Sequence, residues 1–184
     1  MNNQGVKEKI NTGFEILKDK ISIKNKMQSP KLEKVTISVG VGKFRDDKRK
    51  LEVVQDRLEK ITGQKPVVAA AKKSIATYKV REGDVSGYKV TLRGEQMYSF
   101  VDKLINISLP RTKDFRGISK KSVDQMGNLT IGVKEHIVFA ETPDEEIKDI
   151  FGLSVTLTST AESKEDAITF FEYIGIPFKK EETK

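Results

Sequence analysis

The chain has 184 residues, no cysteine, 33% charged residues and a net charge of +7 at neutral pH. Without cysteine, disulfides, thiol catalysis and cysteine-ligated zinc are excluded. No stretch approaches the roughly 18 apolar residues that span a bilayer, and the first residues carry no signal-peptide core, so a soluble cytoplasmic protein with no membrane contact is expected. The basic excess favours acidic partners, nucleic acid first. It is unevenly spread: residues 1–140 carry 29 basic and 16 acidic side chains, and residues from Glu141 onward carry 5 basic and 11 acidic ones. A basic body with an acidic C-terminal part predicts two surfaces with different partners.

Val6, Ile10, Phe14, Leu17 and Ile21 recur at steps of three or four and predict a helix within residues 1–26. Beyond Pro30, Val35, Ile37 and Val39 alternate with Lys34, Thr36 and Ser38, the pattern of a strand with one buried and one polar face. A helix is expected from Asp46 to about Thr62, with Leu51, Val54, Leu58 and Ile61 inward and Gly63 as its stop. "KPVVAAA" reads as a short strand. Ile75–Arg81 and Tyr88–Arg93 read as the basic arms of a hairpin, and Glu82–Gly87 as its soft tip. Further helices are expected over about Glu95–Ile107, closed by Pro110, and over Lys164–Tyr173, capped by Ser163. Leu129–Val133 and Phe151–Thr158 alternate as strands. Residues 111–128, "RTKDFRGISKKSVDQMGN", have weak periodicity and read as a long, basic, partly ordered loop. The whole predicts a single α+β domain over 1–184, with a mixed or antiparallel sheet, helices packed on one face and extended basic loops.

Catalytic chemistry finds little support. The one histidine, His136, lies in "VKEHIVF" without a partner motif and reads as structural. "GVGKF" at Gly40–Phe44 lacks phosphate-loop spacing and has Phe44 where a magnesium-binding hydroxyl belongs. Glu145 and Glu146 sit in a densely charged stretch and read as a solvated face. No enzyme, cofactor or metal site is therefore expected. Polyanion binding is better supported. Lys65, Lys72, Lys73, Lys79, Arg81, Lys89 and Arg93 face only Glu82 and Asp84, with Tyr78 and Tyr88 interleaved as stacking candidates. Arg111, Lys113, Arg116, Lys120 and Lys121 form a second basic cluster. A basic, polar sheet face without a recognition helix fits structured RNA better than the DNA major groove. The alternative is a protein-interaction adaptor whose basic face is incidental, with binding centred on apolar patches and little affected by salt.

The blocks "TGQKP", "KVTLRG" and "SLPRTKDFRG", within a similarity running from about Met27 to Phe178, resemble the bacterial large-subunit ribosomal protein five family, which binds 5S rRNA in the central protuberance. The resemblance implies a non-enzymatic structural constituent of the large ribosomal subunit in the cytoplasm. Its implied partners are 5S rRNA, 23S rRNA, peptidyl-site tRNA and small-subunit ribosomal protein thirteen. It implies a 5S contact on the open sheet face at Lys34, Ser38, Gln64, Lys65, Thr91 and Arg93, where Ser38 stands in place of the family's usual asparagine. It makes residues 72–87 a protruding tRNA-reaching loop that presents Lys72, Lys73, Tyr78, Lys79, Arg81, Gly83 and Gly87. It sets Arg111, Lys113 and Arg116 near an intersubunit bridge, with partner protein and nearby RNA both open as their targets; by charge alone, the acidic stretch Glu141–Glu146, with Glu141 and Glu145, is the bridge candidate for a basic protein partner.

Overall fold

The computed structural model describes residues 5–21, 23–42, 47–142 and 150–179. Five strands, β1 (Leu32–Gly40), β2 (Val67–Ala70), β3 (Val85–Leu92), β4 (Leu129–Val133) and β5 (Leu153–Ser159), form one antiparallel sheet in the order β2-β3-β1-β5-β4. With α1 (Val6–Thr12), α2 (Phe14–Ile21), α3 (Lys48–Thr62), α4 (Gly94–Lys103), α5 (Leu109–Arg111) and α6 (Lys164–Ile174) among the described residues, this is an α+β fold. The chain divides into two compact units, one of Met1–Val35, Arg93–Ile131 and Thr156–Lys184, the other of Thr36–Leu92 and Gly132–Val155.

In the first unit, α1 packs on α4 and α6, and α2 on α6. Val6, Ile10, Leu17, Met97, Phe100, Val101, Leu104, Ala167, Phe170, Phe171 and Ile174 are its buried helix residues. The N-terminal helix is two helices, because Gly13 breaks it. A Cβ at Gly13 would overlap the Tyr173 ring, so glycine permits this close approach. α1 has no side-chain cap of its own; Asp102 of α4 supplies one, accepting from Val6 N–H at 2.9 Å. Lys9 Nζ donates to Ile174 O at 3.0 Å, a cation at the C-terminus of α6, and Tyr173 Oη–H donates to Lys9 O at 3.0 Å. Lys7 hydrogen-bonds Glu95, and that bond and charge hold its ammonium pKa above the ordinary value. Helix α4 runs into a π turn at Leu104–Ser108, and Pro110, expected to close the helix, instead occupies the second position of α5. Ser163 caps α6 as expected, accepting from Asp166 N–H.

In the second unit, Val54, Leu58 and Ile61 of α3 are buried, and α3 packs on β3. Asp47 caps α3 at its start, and Gly63 ends it in the left-handed conformation at φ 69°. Ile37, Val39, Val90, Leu92, Leu153 and Val155 form the covered side of the strands. Tyr88 lies on that side too, 5% exposed, and burial followed by the Glu52 charge pushes its phenol pKa up. Its reading as a base-stacking residue is corrected: alternation along β3 turns it into the core. His136 is fully buried and stacked on Phe151 (ring centroids 4.0 Å, interplanar angle 6°), with Nδ1 accepting from Phe151 N–H at 3.3 Å. That environment is structural. Lys43, Phe44, Glu145 and Glu146 lie outside the described residues.

Candidate nucleic-acid interface

Most residues that alternate with the core on the strands are half-buried or exposed. In the second unit these are Thr36 and Ser38 on β1, Lys89 and Thr91 on β3, Gly132 on β4 and Ser154 on β5. Ser38 Oγ and Ser154 Oγ share a hydrogen bond of 2.8 Å. Gln64 and Lys65 are delivered by the turn that ends α3. Thr62 Oγ1 donates to Leu58 O at 2.7 Å and accepts from Gln64 N–H at 3.3 Å, so the "TGQ" segment is a fixed corner. Gln64 and Lys65 are exposed there, whereas Pro66 is buried. Val67, 69% exposed, pairs with Lys89 across β2 and β3. Ser38, Gln64, Lys65 and Thr91 therefore share one unit. Lys34 and Arg93 belong to the other, where Arg93 Nη1 is 3.7 Å from Glu33 Oε1. Both partners are exposed, so this ion pair contributes little to stability.

Two glycines on the polar side have no internal explanation. A Cβ on Gly40 or Gly132 would meet no atom within 4 Å, and neither has a positive φ. A strand glycine without a steric reason marks a place where another backbone or a ligand comes close.

The hairpin differs from the expected one. Its arms are β2 and β3, in register Val67↔Lys89 and Val68↔Tyr88, with an irregularity between Ala69 and Ala70. Ile75–Arg81 is not an arm. β-prone residues there have no sheet face to cover, and they fold into a 3-10 turn at Ala76–Tyr78 closed by the Ile75↔Val80 bridge. Arg81 N–H donates to Asp84 Oδ2 at 2.8 Å and Glu82 N–H to Ser74 Oγ at 2.9 Å, so the segment is built rather than slack. Lys72, Lys73, Tyr78, Lys79, Arg81 and Gly83 are all exposed, Tyr78 at 72%. Gly87 departs from its expected role at the tip. It is buried in β3, and a Cβ there would overlap the Val39 carbonyl oxygen, so glycine serves the β3–β1 approach.

The "PRTKDFRG" segment runs into an anchored residue. Ile118 N–H donates to Pro177 O at 2.8 Å and Lys179 N–H to Ile118 O at 2.9 Å, forming a parallel bridge with Phe178. Gly117, at φ 95°, leaves no room for a Cβ, which would lie 2.8 Å from Lys179 N. Ser119 caps a 3-10 turn at Lys120–Ser122, and Asp124 closes the far end by accepting from Asn128 N–H at 2.7 Å. Burial raises the Asp124 pKa, but its bonds from Asn128 and Met126 and the Lys164 charge outweigh that and hold it below the usual carboxylate value. Arg111, Lys113 and Arg116 are exposed in the first unit, and Glu141 is exposed in the second.

Among the described residues no group of histidine and carboxylate side chains could hold a metal ion, and no helix is long and apolar enough to cross a membrane. The chain is thus an α+β scaffold with polar strand faces, exposed basic loops and a buried, stacked histidine, the features of a structural rather than a catalytic protein. Family models agree: "Ribosomal protein L5" matches residues 25–81, and the model of the same ribosomal family's C-terminus matches residues 85–178. The chain is 46% identical over 164 residues to the large ribosomal subunit protein uL5 of Halothermothrix orenii, covering 89% of this chain and 92% of that one. It is 48% identical over 162 residues to that of Natranaerobius thermophilus, covering 88% and 90%, and 47% identical over 177 residues to that of Heliobacterium modesticaldum, covering 96% and 98%. The chain belongs to the ribosomal protein L5 (uL5) family, and is a non-enzymatic structural constituent of the large subunit of the bacterial cytoplasmic ribosome.

Sequence reasoning missed Ser154, Gly132 and Lys179. Ser154 carried a signal, since it alternates with Leu153 and Val155 just as Ser38 does with Ile37 and Val39. Gly132 alternates likewise with Ile131 and Val133, whereas the placement of Lys179 depends on its bond to Ile118, distant in the chain.

Proposed function

We propose that this chain attaches 5S rRNA to the large subunit through the polar side of its strands, with Ser38, Gln64, Lys65 and Thr91 as contacts in one unit and the cations Lys34 and Arg93 as contacts in the other. The observation that carries this reading is the fixed corner after α3, which holds Gln64 and Lys65 at the surface in the same unit as Ser38 and Thr91. Short hydroxyls and amides suit ribose and phosphate oxygens, and lysines supply the counter-charge. The Ser38–Ser154 hydrogen bond keeps the Ser38 hydroxyl oriented, which offsets the shorter reach of serine relative to asparagine. The exposed loop 71–84, with Lys72, Lys73, Tyr78, Lys79 and Arg81, reaches the peptidyl-site tRNA; phosphate and sugar contacts position a partner without reading its sequence, as a contact with every tRNA requires. The bridge contact with small-subunit protein thirteen involves Glu141 and Glu145, acidic side chains that complement a basic protein.

The test is binding of the purified chain to 5S rRNA across a salt series, with a structured RNA of equal length as competitor. Tight, competitor-resistant binding with a steep salt slope supports the reading, and Gln64→Ala and Thr91→Ala should each weaken it. Binding that the competitor abolishes refutes it, and binding indifferent to salt favours an adaptor centred on apolar contacts.

A further inference from the structure

The open edge of the sheet carries apolar side chains and backbone groups that the RNA contacts proposed above leave unused. We infer that β2 is a docking strand for protein, which takes an extended, acidic segment of a partner chain as an added strand. The inference goes beyond the 5S reading and does not need it.

Three observations carry it. The first is the backbone. β2 ends the order β2-β3-β1-β5-β4, with β3 as its one neighbour among the described residues. Ala71 N–H donates to Asp84 O at 2.8 Å, and Ala71 O accepts from Gly83 N–H at 3.0 Å, so Ala71 turns both groups toward the β3 side. Backbone groups alternate in direction along a strand, so the N–H and C=O of Val68 and Ala70 point to the open edge. Open edge groups are a template for a further strand. The second is the side chains. Val67, Val68, Ala69 and Ala70 are all exposed, Val68 at 49%. The register sets Val67 on the side of Lys89 and Val68 on the side of the buried Tyr88. An arriving strand thus meets apolar surface on both of its faces. Neither valine offers RNA a charge or a stacking ring, so the edge fits protein better than nucleic acid. The third is charge, which selects the partner. Lys65 precedes β2, and Lys72 and Lys73 follow it; all three are exposed, and none has an ion-pair partner among the described residues. A second copy of β2 paired antiparallel would set Lys65 opposite Lys72 and Lys73, and like charges across strands disfavour that pairing. Acidic side chains at both ends of an arriving segment complement the same lysines.

The experiment titrates the full chain into a fluorescein-labelled peptide of alternating valine and threonine flanked by paired glutamates, read by anisotropy across a salt series, with backbone amide shifts followed in parallel. Saturable binding with shifts centred on residues 67–71 is expected. The same peptide with a central proline lacks a donor that an added strand needs, and should bind about tenfold more weakly. On the chain, Ala70→Pro removes an edge donor and leaves the β3 side of the strand intact, so it should also weaken binding about tenfold with 5S affinity unchanged. Val68→Asn keeps every backbone donor and every charge and should weaken binding about threefold, which keeps the test decisive where the proline variant does not fold. Lys72→Gln with Lys73→Gln should weaken binding and reduce its salt dependence. Absence of peptide binding, or unchanged affinity in the folded variants, would overturn the inference. Equal binding of the proline peptide would overturn it by reducing the contact to charge attraction. A loss of 5S affinity in a folded Ala70→Pro chain would assign the edge to RNA, and a dimer of the parent chain that Ala70→Pro abolishes would assign it to a second copy; either result overturns the inference. Failure of the parent chain to bind 5S rRNA would refute the 5S reading and leave the peptide comparison standing.

Discussion

Replacing Gly132 by threonine separates the needs of folding from those of binding. An added Cβ meets nothing within 4 Å, and the backbone has no positive φ, so the native fold accepts the new side chain without strain. Glycine in a strand is costly in backbone entropy, and threonine is among the good strand formers; the two effects together are worth about 0.5–1 kcal/mol in favour of the variant. The neighbourhood is already of this kind, since Thr130 Oγ1 and Thr156 Oγ1 lie 3.2 Å apart on the same two strands. For a chain of this size the midpoint of thermal unfolding should rise by about 1–4 °C. If the polar side receives 5S rRNA at close range, the same substitution should weaken that complex on the order of tenfold, about 1.4 kcal/mol. Differential scanning calorimetry and a filter-binding titration read the two quantities on one preparation. A midpoint lowered by several degrees would show that the glycine serves the fold. A raised midpoint with unchanged affinity would show that no RNA approaches there.

Further substitutions test the rest of the architecture. Phe171→Ala empties a fully buried site between α6 and its neighbours and should cost about 3–5 kcal/mol in urea unfolding; a loss under about 1 kcal/mol would contradict its place in the core. Asp102→Ala removes the cap on α1 and should cost about 1 kcal/mol, with faster amide exchange confined to residues 6–12 and their contacts; uniform exchange across the chain would contradict a local cap. Because the Asp124 pKa is depressed in the folded chain, its contribution is fully present above the ordinary aspartate value of 3.8 and is lost as pH falls through the folded value. Asp124→Asn should therefore flatten stability against pH below about 4, and an unchanged acid limb would refute the assignment. Tyr78→Ala should leave 5S affinity intact and reduce tRNA-dependent function of assembled ribosomes; lost 5S affinity would move loop 71–84 into the 5S contact.

Local chemistry was readable wherever it was complete in one stretch. The alternation in β1 gave its buried and polar sides, and Gly63 and Ser163 marked the end of α3 and the start of α6. What failed depended on partners far away in sequence. Ile75–Arg81 has strand-forming side chains, yet β3 pairs with Val67–Ala70 instead, and the loop closes on itself. Segment 111–128 has no periodicity because much of its order comes from residues 177–179. The break at Gly13 answers to Tyr173, which no helical pattern in the first 26 residues could reveal. The polar side of the strands was legible from alternation, but the Ser38–Ser154 pairing on it needed β1 to lie beside β5.

The clamp on the first helix has a bearing on how the chain matures. α1 is held by Asp102 at one end and by Tyr173 and Ile174 at its middle, so its docking site is incomplete until residues 173 and 174 have been synthesised. Contacts of such separation form late, after the local helices and the hairpin have settled. A helix made early is thus among the last to find its place. Until then the apolar side of Val6, Ile10 and Leu17 stays uncovered, a window in which a nascent ribosomal protein is open to chaperones and to aggregation alike.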